Sequence, residues 1–168
     1  MSAPIPSQIR SLPDAPSDAL PYDLIELFFF AYRDFVGDPD RILADYGFGR
    51  AHHRVLHFVQ RRPGMTIAEL LDILQITKQS LNRVLKELVE TGFVEQRTGT
   101  RDKRQRKLHA TATGRDLAIR LAELQSKRIA RALDAAGPGA AAIVARYLTG
   151  MIDPAAQRGV MAHLAGSG

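Results

Sequence analysis

The order of elements between Thr66 and Ala110 constrains this chain more than any other feature. Thr66, with Glu69 three residues on, has the form of a capping box, and the helix it opens carries Ile67, Leu70, Leu71 and Leu74 at helical spacing. A short turn, Gln75-Ile76-Thr77, follows, and Thr77 can cap a second helix. In that helix Leu81, Val84, Leu85 and Leu88 make an inward stripe, and Gly92 closes it from the position after the C-cap. Phe93 to Arg97 then alternates like a strand, and Arg106 to Ala110 does so less clearly, with a polar loop around Gly99 between them. Helix, tight turn, helix and hairpin, in that order, predict a winged helix-turn-helix.

The second helix presents Lys78, Gln79, Asn82, Arg83 and Lys86 on the face opposite its apolar stripe. Arg and Lys can bond guanine edges, and Gln and Asn can bond adenine. Thr77 and Ser80 fall in the first turn, where phosphates meet helix N-terminal amides. The hairpin loop adds charge. Arg97, Arg101, Lys103, Arg104, Arg106 and Lys107 stand against the single acid Asp102, a net +5 that equals the formal charge of the whole 168-residue chain. A compact positive loop of this kind suits phosphates or the minor groove.

Any surface helix has a polar face, and a charge run is usually a solvated face. The joint occurrence of a recognition-type helix and a hairpin carrying the entire net charge is what points to double-stranded DNA. Two other classes stay open at this stage: a winged-helix adaptor that binds protein, and a nonspecific architectural DNA binder. An enzyme is disfavoured, because there is no phosphate-cradling glycine loop, nucleophile elbow or metalloprotease histidine pair. No cofactor is implied.

Flanking this core, residues 1–20 are rich in Pro, Ser, Ala and Asp and read as a flexible arm. Pro21 can start a helix in which Leu24, Leu27, Phe28 and Ala31 recur at helical spacing, with Phe29, Phe30 and Phe35 on neighbouring faces. Gly37-Asp38-Pro39 is expected to break it. Another helix is expected from about Gly49 to Arg61, ended by Pro63-Gly64. From Thr111 a long helix should run to about Ala136, followed by a Gly137-Pro138-Gly139 break. A further helix holds Ile143, Val144, Tyr147, Leu148 and Met151, and Asp153-Pro154 opens a short last one.

The expected fold is therefore mainly α with a small β-hairpin wing, a winged helix-turn-helix flanked by dimerisation helices. Its expected division is an arm (1–20), a first dimerisation helix and linker (21–48), a DNA-binding lobe (49–114) and C-terminal dimerisation helices (115–168). Leu24, Leu27, Phe28, Ile143, Tyr147, Leu148 and Met151 are the candidate homodimer contacts, being more apolar surface than one lobe of this size covers. The chain has no cysteine, which excludes disulfide frameworks and thiolate chemistry. It has no apolar run of membrane length and no signal-peptide pattern, so a cytoplasmic location without membrane contact is expected.

The stretch ITKQSLNRVLKELVETGFVEQRTGTRDKRQRKLHATATG resembles the MarR family of bacterial transcription regulators. The resemblance is carried above all by Asp102-Lys103-Arg104 in the loop and by Leu108 through Gly114 at the opening of the long helix. It extends from about Pro21 to the C-terminus. It implies a triangular homodimer built by the first and last helices, a pseudo-palindromic operator, and repression. It also implies that Asp102 and Arg104 shape the wing and that Arg104 reaches DNA.

Three histidines, His52, His53 and His57, lie close together in the second expected helix. His53 and His57 are four apart and so share a face, but no third metal ligand is evident and no metal is expected. The family resemblance implies small aromatic anions bound between the DNA-binding lobe and the dimerisation helices, and His53, Arg54 and His57 could line such an effector pocket. Plain packing or polar contacts at a dimer interface remain the alternative for them.

The wing yields a test. Each phosphate contact adds about −0.9 to the slope of log affinity against log salt. Arg104→Ala should weaken binding to all DNA sequences and make that slope shallower. Asp102→Ala raises the wing's positive charge, so simple charge counting has it bind more tightly; a loop-shaping role has it bind more weakly. Fluorescence anisotropy at ~150 mM salt, near the physiological range, decides between the two.

Overall fold

The computed structural model describes residues 21–99 and 105–166. The expected arm and the wing residues Arg101, Asp102, Lys103 and Arg104 lie outside the described residues. In chain order the elements are α1 (Tyr22–Ala44), α2 (Arg50–Arg61), β1 (Met65–Thr66), α3 (Ile67–Leu74), α4 (Lys78–Glu90), β2 (Val94–Thr98), β3 (Arg106–Ala110), α5 (Ala112–Ala136), α6 (Ala140–Met151) and α7 (Pro154–Ala165). The fold is a winged helix-turn-helix set among longer helices.

Local chemistry starts each element of the helix-turn-helix. The Thr66 hydroxyl oxygen accepts from the Glu69 amide, and the Glu69 carboxylate accepts from the Thr66 amide at 2.6 Å, a reciprocal capping box. Thr77 caps α4 by accepting from the Ser80 amide at 3.1 Å. After α4, Gly92 adopts φ +79°, a left-handed conformation that glycine enters without a Cβ penalty. The stripe Leu81, Val84, Leu85 and Leu88 is buried, and it meets Leu70 and Leu74 of α3 and Val55, Leu56 and Val59 of α2 in one core. Leu108 of β3 and Leu117 and Leu121 of α5 complete that core.

The hairpin β2–β3 is antiparallel, with Gln96 opposite Leu108 and Thr98 opposite Arg106. A third strand, β1, pairs with β3 through Met65 opposite Leu108 and gives the order β1-β3-β2. Two residues are too short to show a period of their own. Only the tertiary placement of Gly64, whose amide donates to the Leu108 carbonyl at 2.8 Å, brings them into register.

The expected break at Gly37-Asp38-Pro39 is corrected: α1 runs through it to Ala44. Proline in a helix interior removes one hydrogen bond, here the one that Phe35 O would accept from residue 39. Gln125 Nε2 of α5 stands 3.5 Å from that carbonyl and takes the place of the missing donor. Pro39 itself is buried beside Val36 and Leu43. Next to it, Asp38 Oδ2 accepts from Arg128 of α5 at 2.6 Å and 3.1 Å, and Oδ1 accepts from Arg41. Arg128 holds the Asp38 carboxyl below the usual carboxylate range. Packing and pairing against α5 thus override a local breaker signal.

The first turn of α5 sits on the base of the wing. Thr111 donates from its amide to Phe93 O at 3.1 Å and from its hydroxyl to Gly92 O at 2.7 Å, and the Gly114 amide donates back to the Thr111 hydroxyl. A Cβ on Gly114 would lie 1.9 Å from Phe93 O. At the other end of the chain, α7 folds back toward α2: His163 Nδ1 lies 2.8 Å from Arg62 Nη1 and its ring 5.4 Å from that of Phe58.

Gly114→Ala must push two backbones apart and should destabilise the fold by about 3 kcal/mol. Gly159→Ala, in a helix interior where nothing lies within 4 Å of the new methyl, should instead stabilise by about 0.5–1 kcal/mol. Urea unfolding of the two variants reads the opposite signs directly.

Candidate nucleic-acid interface and α1–α2–α5 cavity

Helix α4 divides into two faces. Lys78, Gln79, Ser80, Asn82, Arg83 and Lys86 are all exposed, while Leu81, Val84, Leu85 and Leu88 are at most 3% exposed. The Thr77 hydroxyl is engaged at the helix start, accepting from the Ser80 amide and donating to Ser80 Oγ at 2.9 Å. Asn82 and Lys86 face a groove of about 570 Å³ between α4 and the wing base, walled by Gln96 and Thr111. Lys86 also stands 3.7 Å from Glu90, an exposed pair of little energetic weight. Arg106 is exposed at the start of β3, where the Gly99 amide bonds Gln105 O at 2.9 Å and closes the described part of the hairpin.

α4 is also gripped from behind. His52 of α2 stacks on Phe48 with ring centroids 4.7 Å apart. Its Nδ1 accepts from the Gly49 amide at 3.1 Å, which leaves the ring proton on Nε2, directed at Glu87 of α4 at 2.6 Å. Nothing in the sequence marks Glu87 as the partner of His52, thirty-five residues away. Arg54 holds the other helix of the pair, its Nη2 donating to Leu74 O at the end of α3 at 3.0 Å. The following residue, Gln75, is left-handed (φ 50°), a conformation costing roughly 1–2 kcal/mol outside glycine.

The structure brings His53, Arg54 and His57 together on one cavity of about 430 Å³ between α1, α2 and α5. Tyr32, Phe35 and Val36 of α1 and Phe58 of α2 give it an apolar wall, and Arg50 and Gln125 add polar groups. Gln125 carried no signal in the sequence, because only the packing of α5 on α1 places it there. Arg50 is tied to Asp40 at 2.9 Å, which raises its pKa further. Burial pushes the His53 imidazole below the ordinary histidine range, and charge on His57 adds to this. Burial does the same to His57, helped by Arg61 and His163. Both rings are thus favoured neutral, so folding resists their protonation. The stability this leaves intact above pH 6.5 is lost as the pH falls through their depressed pKa values. Among the described residues no three His, Cys, Asp or Glu side chains are placed to hold a metal ion.

The candidate dimer residues form two exposed apolar rows. Leu24, Leu27 and Phe28 lie on α1, with Phe29 66% exposed beside them, and Ile143, Tyr147, Leu148 and Met151 lie on α6. No helix of the described residues is long and apolar enough to cross a membrane.

Comparison with known proteins agrees with this geometry. A family model described as the MarR family matches residues 46–105. The chain is 52% identical over 134 residues to the HTH-type transcriptional regulator PetP of Rhodobacter capsulatus, covering 80% of this chain and 81% of that one. A mutant MarR from E. coli complexed with operator DNA has the same fold, with TM-score 0.61 at 20% identity over 78% of this chain and 94% of that one. NadR in complex with 4-hydroxyphenylacetate gives TM-score 0.64 at 18% identity over 82% and 96%. The two structures show the fold, the 52% match shows kinship, and the chain belongs to the MarR family.

Proposed function

We propose that this MarR-family regulator represses transcription by binding a pseudo-palindromic operator as a homodimer, and that a small aromatic anion in the α1–α2–α5 cavity releases it. The observation that carries the reading is α4: a fully buried stripe backs a wholly exposed row of Lys, Gln, Asn and Arg beside the wing. Such a helix can lie in a major groove with its core intact, and Asn82 and Arg83 are then placed to read bases. Lys78, Gln79 and Lys86 flank them. Arg101, Lys103, Arg104 and Arg106 supply phosphate contacts, and Thr77 and Ser80 meet the backbone at the helix start.

In this reading residues 49–114 form the DNA-binding lobe, and α1 with the C-terminal helices forms the dimer. The exposed rows on α1 and α6 support it, since soluble monomers rarely expose contiguous apolar area on this scale. A two-fold axis there would set the recognition helices roughly 34–36 Å apart, one turn of DNA.

The cavity supports the effector half of the reading. Its aromatic wall would take a ring, and with both imidazoles favoured neutral, positive charge comes from Arg50 and Arg54. NadR, of the same fold, is seen with an aromatic carboxylate, 4-hydroxyphenylacetate. The adaptor alternative has no comparable feature in its favour.

Gel shifts with the DNA upstream of the protein's own gene, against random DNA, test the reading as a whole: preference for the upstream DNA is expected, and equal affinity would make the protein an architectural binder. Arg83→Ala should cost about 1–3 kcal/mol on the specific site and relax the preference at one position in each half-site. In sedimentation at micromolar concentration the wild-type chain should run as a dimer and Phe28→Asp as a folded monomer. A wild-type monomer without DNA would refute the dimer.

A further inference from the structure

Arg54 makes two contacts that no other described side chain combines. It lines the α1–α2–α5 cavity together with Tyr32, Phe35, His53 and His57. Its Nη2 also donates to the Leu74 carbonyl, 3.0 Å away, at the last residue of α3. That carbonyl sits at the bend of the helix-turn-helix. Gln75, next in the chain, is the only non-glycine residue with positive φ among the described residues. Within the bend, the Gln75 amide donates to Leu71 O at 2.9 Å and its Nε2 donates to Asp72 O at 2.5 Å. Arg54 adds a hold from outside the bend, and two residues after Gln75 the Thr77 cap starts α4.

We infer that Arg54 is a positioning residue that links cavity occupancy to the recognition helix: an anion in the cavity draws the guanidinium off the Leu74 carbonyl and loosens the α3–α4 turn. The inference rests on the effector reading given above and adds its route. Its physical ground is competition for one guanidinium. A carboxylate can take two parallel N–H groups of an arginine, whereas the Leu74 carbonyl here takes one. Arg50, the other guanidinium at the cavity, already has its charge matched by Asp40 at 2.9 Å, so an incoming anion is drawn chiefly to Arg54. Once Arg54 turns, the left-handed Gln75 keeps only the bonds of its own turn. The start of α4 then loses its fixed angle to α3, while His52 still holds the far half of α4 through Glu87.

The experiment has two arms, both on the full chain. Without ligand, Arg54→Met should speed hydrogen exchange at the Gln75 amide about tenfold and weaken binding to the upstream DNA by a similar factor. Arg54→Lys, which keeps a donor, should restore most of the protection. Unchanged exchange in Arg54→Met overturns the hold on the turn. In the second arm benzoate is added to wild type, and the ring resonances of His53 and His57 report occupancy. Ring shifts accompanied by faster Gln75 exchange and weaker DNA binding, with the exchange response absent in Arg54→Met, establish the link. Ring shifts with no change at Gln75 overturn it. No ring shift overturns the effector reading and the link with it, and the first arm still decides whether Arg54 holds the turn. Should Arg54→Met fail to fold, the wild-type benzoate arm decides alone.

Discussion

The structure depends on a close approach between the first turn of α5 and the base of the wing. Gly114 brings its backbone against Phe93 O, where a methyl group would stand 1.9 Å away, and Leu56 of α2 lies 3.3 Å from the same point. Thr111 ties the two strands of chain together through Phe93 O and Gly92 O. Recognition helix, wing base, α2 and α5 therefore meet at one place. A protein interior is packed as densely as a crystal, so a displacement at this meeting point is passed on rather than absorbed.

Helix α2 packs against α1, α3, α4, α5 and β3. Val55, Leu56 and Val59 are fully buried and anchor it in the core. Two of its polar residues reach the two helices of the helix-turn-helix, His52 to Glu87 and Arg54 to Leu74. Its cavity side carries His53 and His57, whose rings burial favours in the neutral form. A single helix thus joins the α1–α2–α5 cavity to both helices of the helix-turn-helix. Charged hydrogen bonds in partly buried places are worth more than exposed ones, so these two grips outweigh surface pairs such as Lys86 with Glu90.

The remaining helices divide by chemistry. α1 is held to α5 along its second half, where Asp38 meets Arg128 and Gln125 serves Phe35 O, while its first half is exposed and aromatic. α6 repeats that pattern with an exposed row of aliphatic and aromatic side chains. The basic residues of the wing and α4 belong to a different part of the chain. The exposed apolar rows and the exposed cationic row of α4 thus lie on different elements.

Much of this was legible in the sequence. Thr66, Thr77 and Thr111 announce their helices, Gly92 ends α4, and the apolar stripe of α4 predicts its buried face, because caps and periodicity act over a few neighbouring residues. The spacing of His53 and His57 put those two on one face of α2, whereas a pocket lined by them together with Arg54 was implied only by the family resemblance. Other features came only with the tertiary structure. The continuation of α1 through Gly37 and Pro39 needed Gln125 and Arg128 from a helix some ninety residues later. β1 needed β3, the role of Glu87 needed His52, and the contact of Arg54 with a backbone carbonyl has no side-chain pattern to betray it. The sequence alone determined the elements and the faces they bury, since those are set locally. Partners distant in the chain were decided by packing, since a buried carbonyl, carboxylate or imidazole takes whichever donor or acceptor the fold brings within reach.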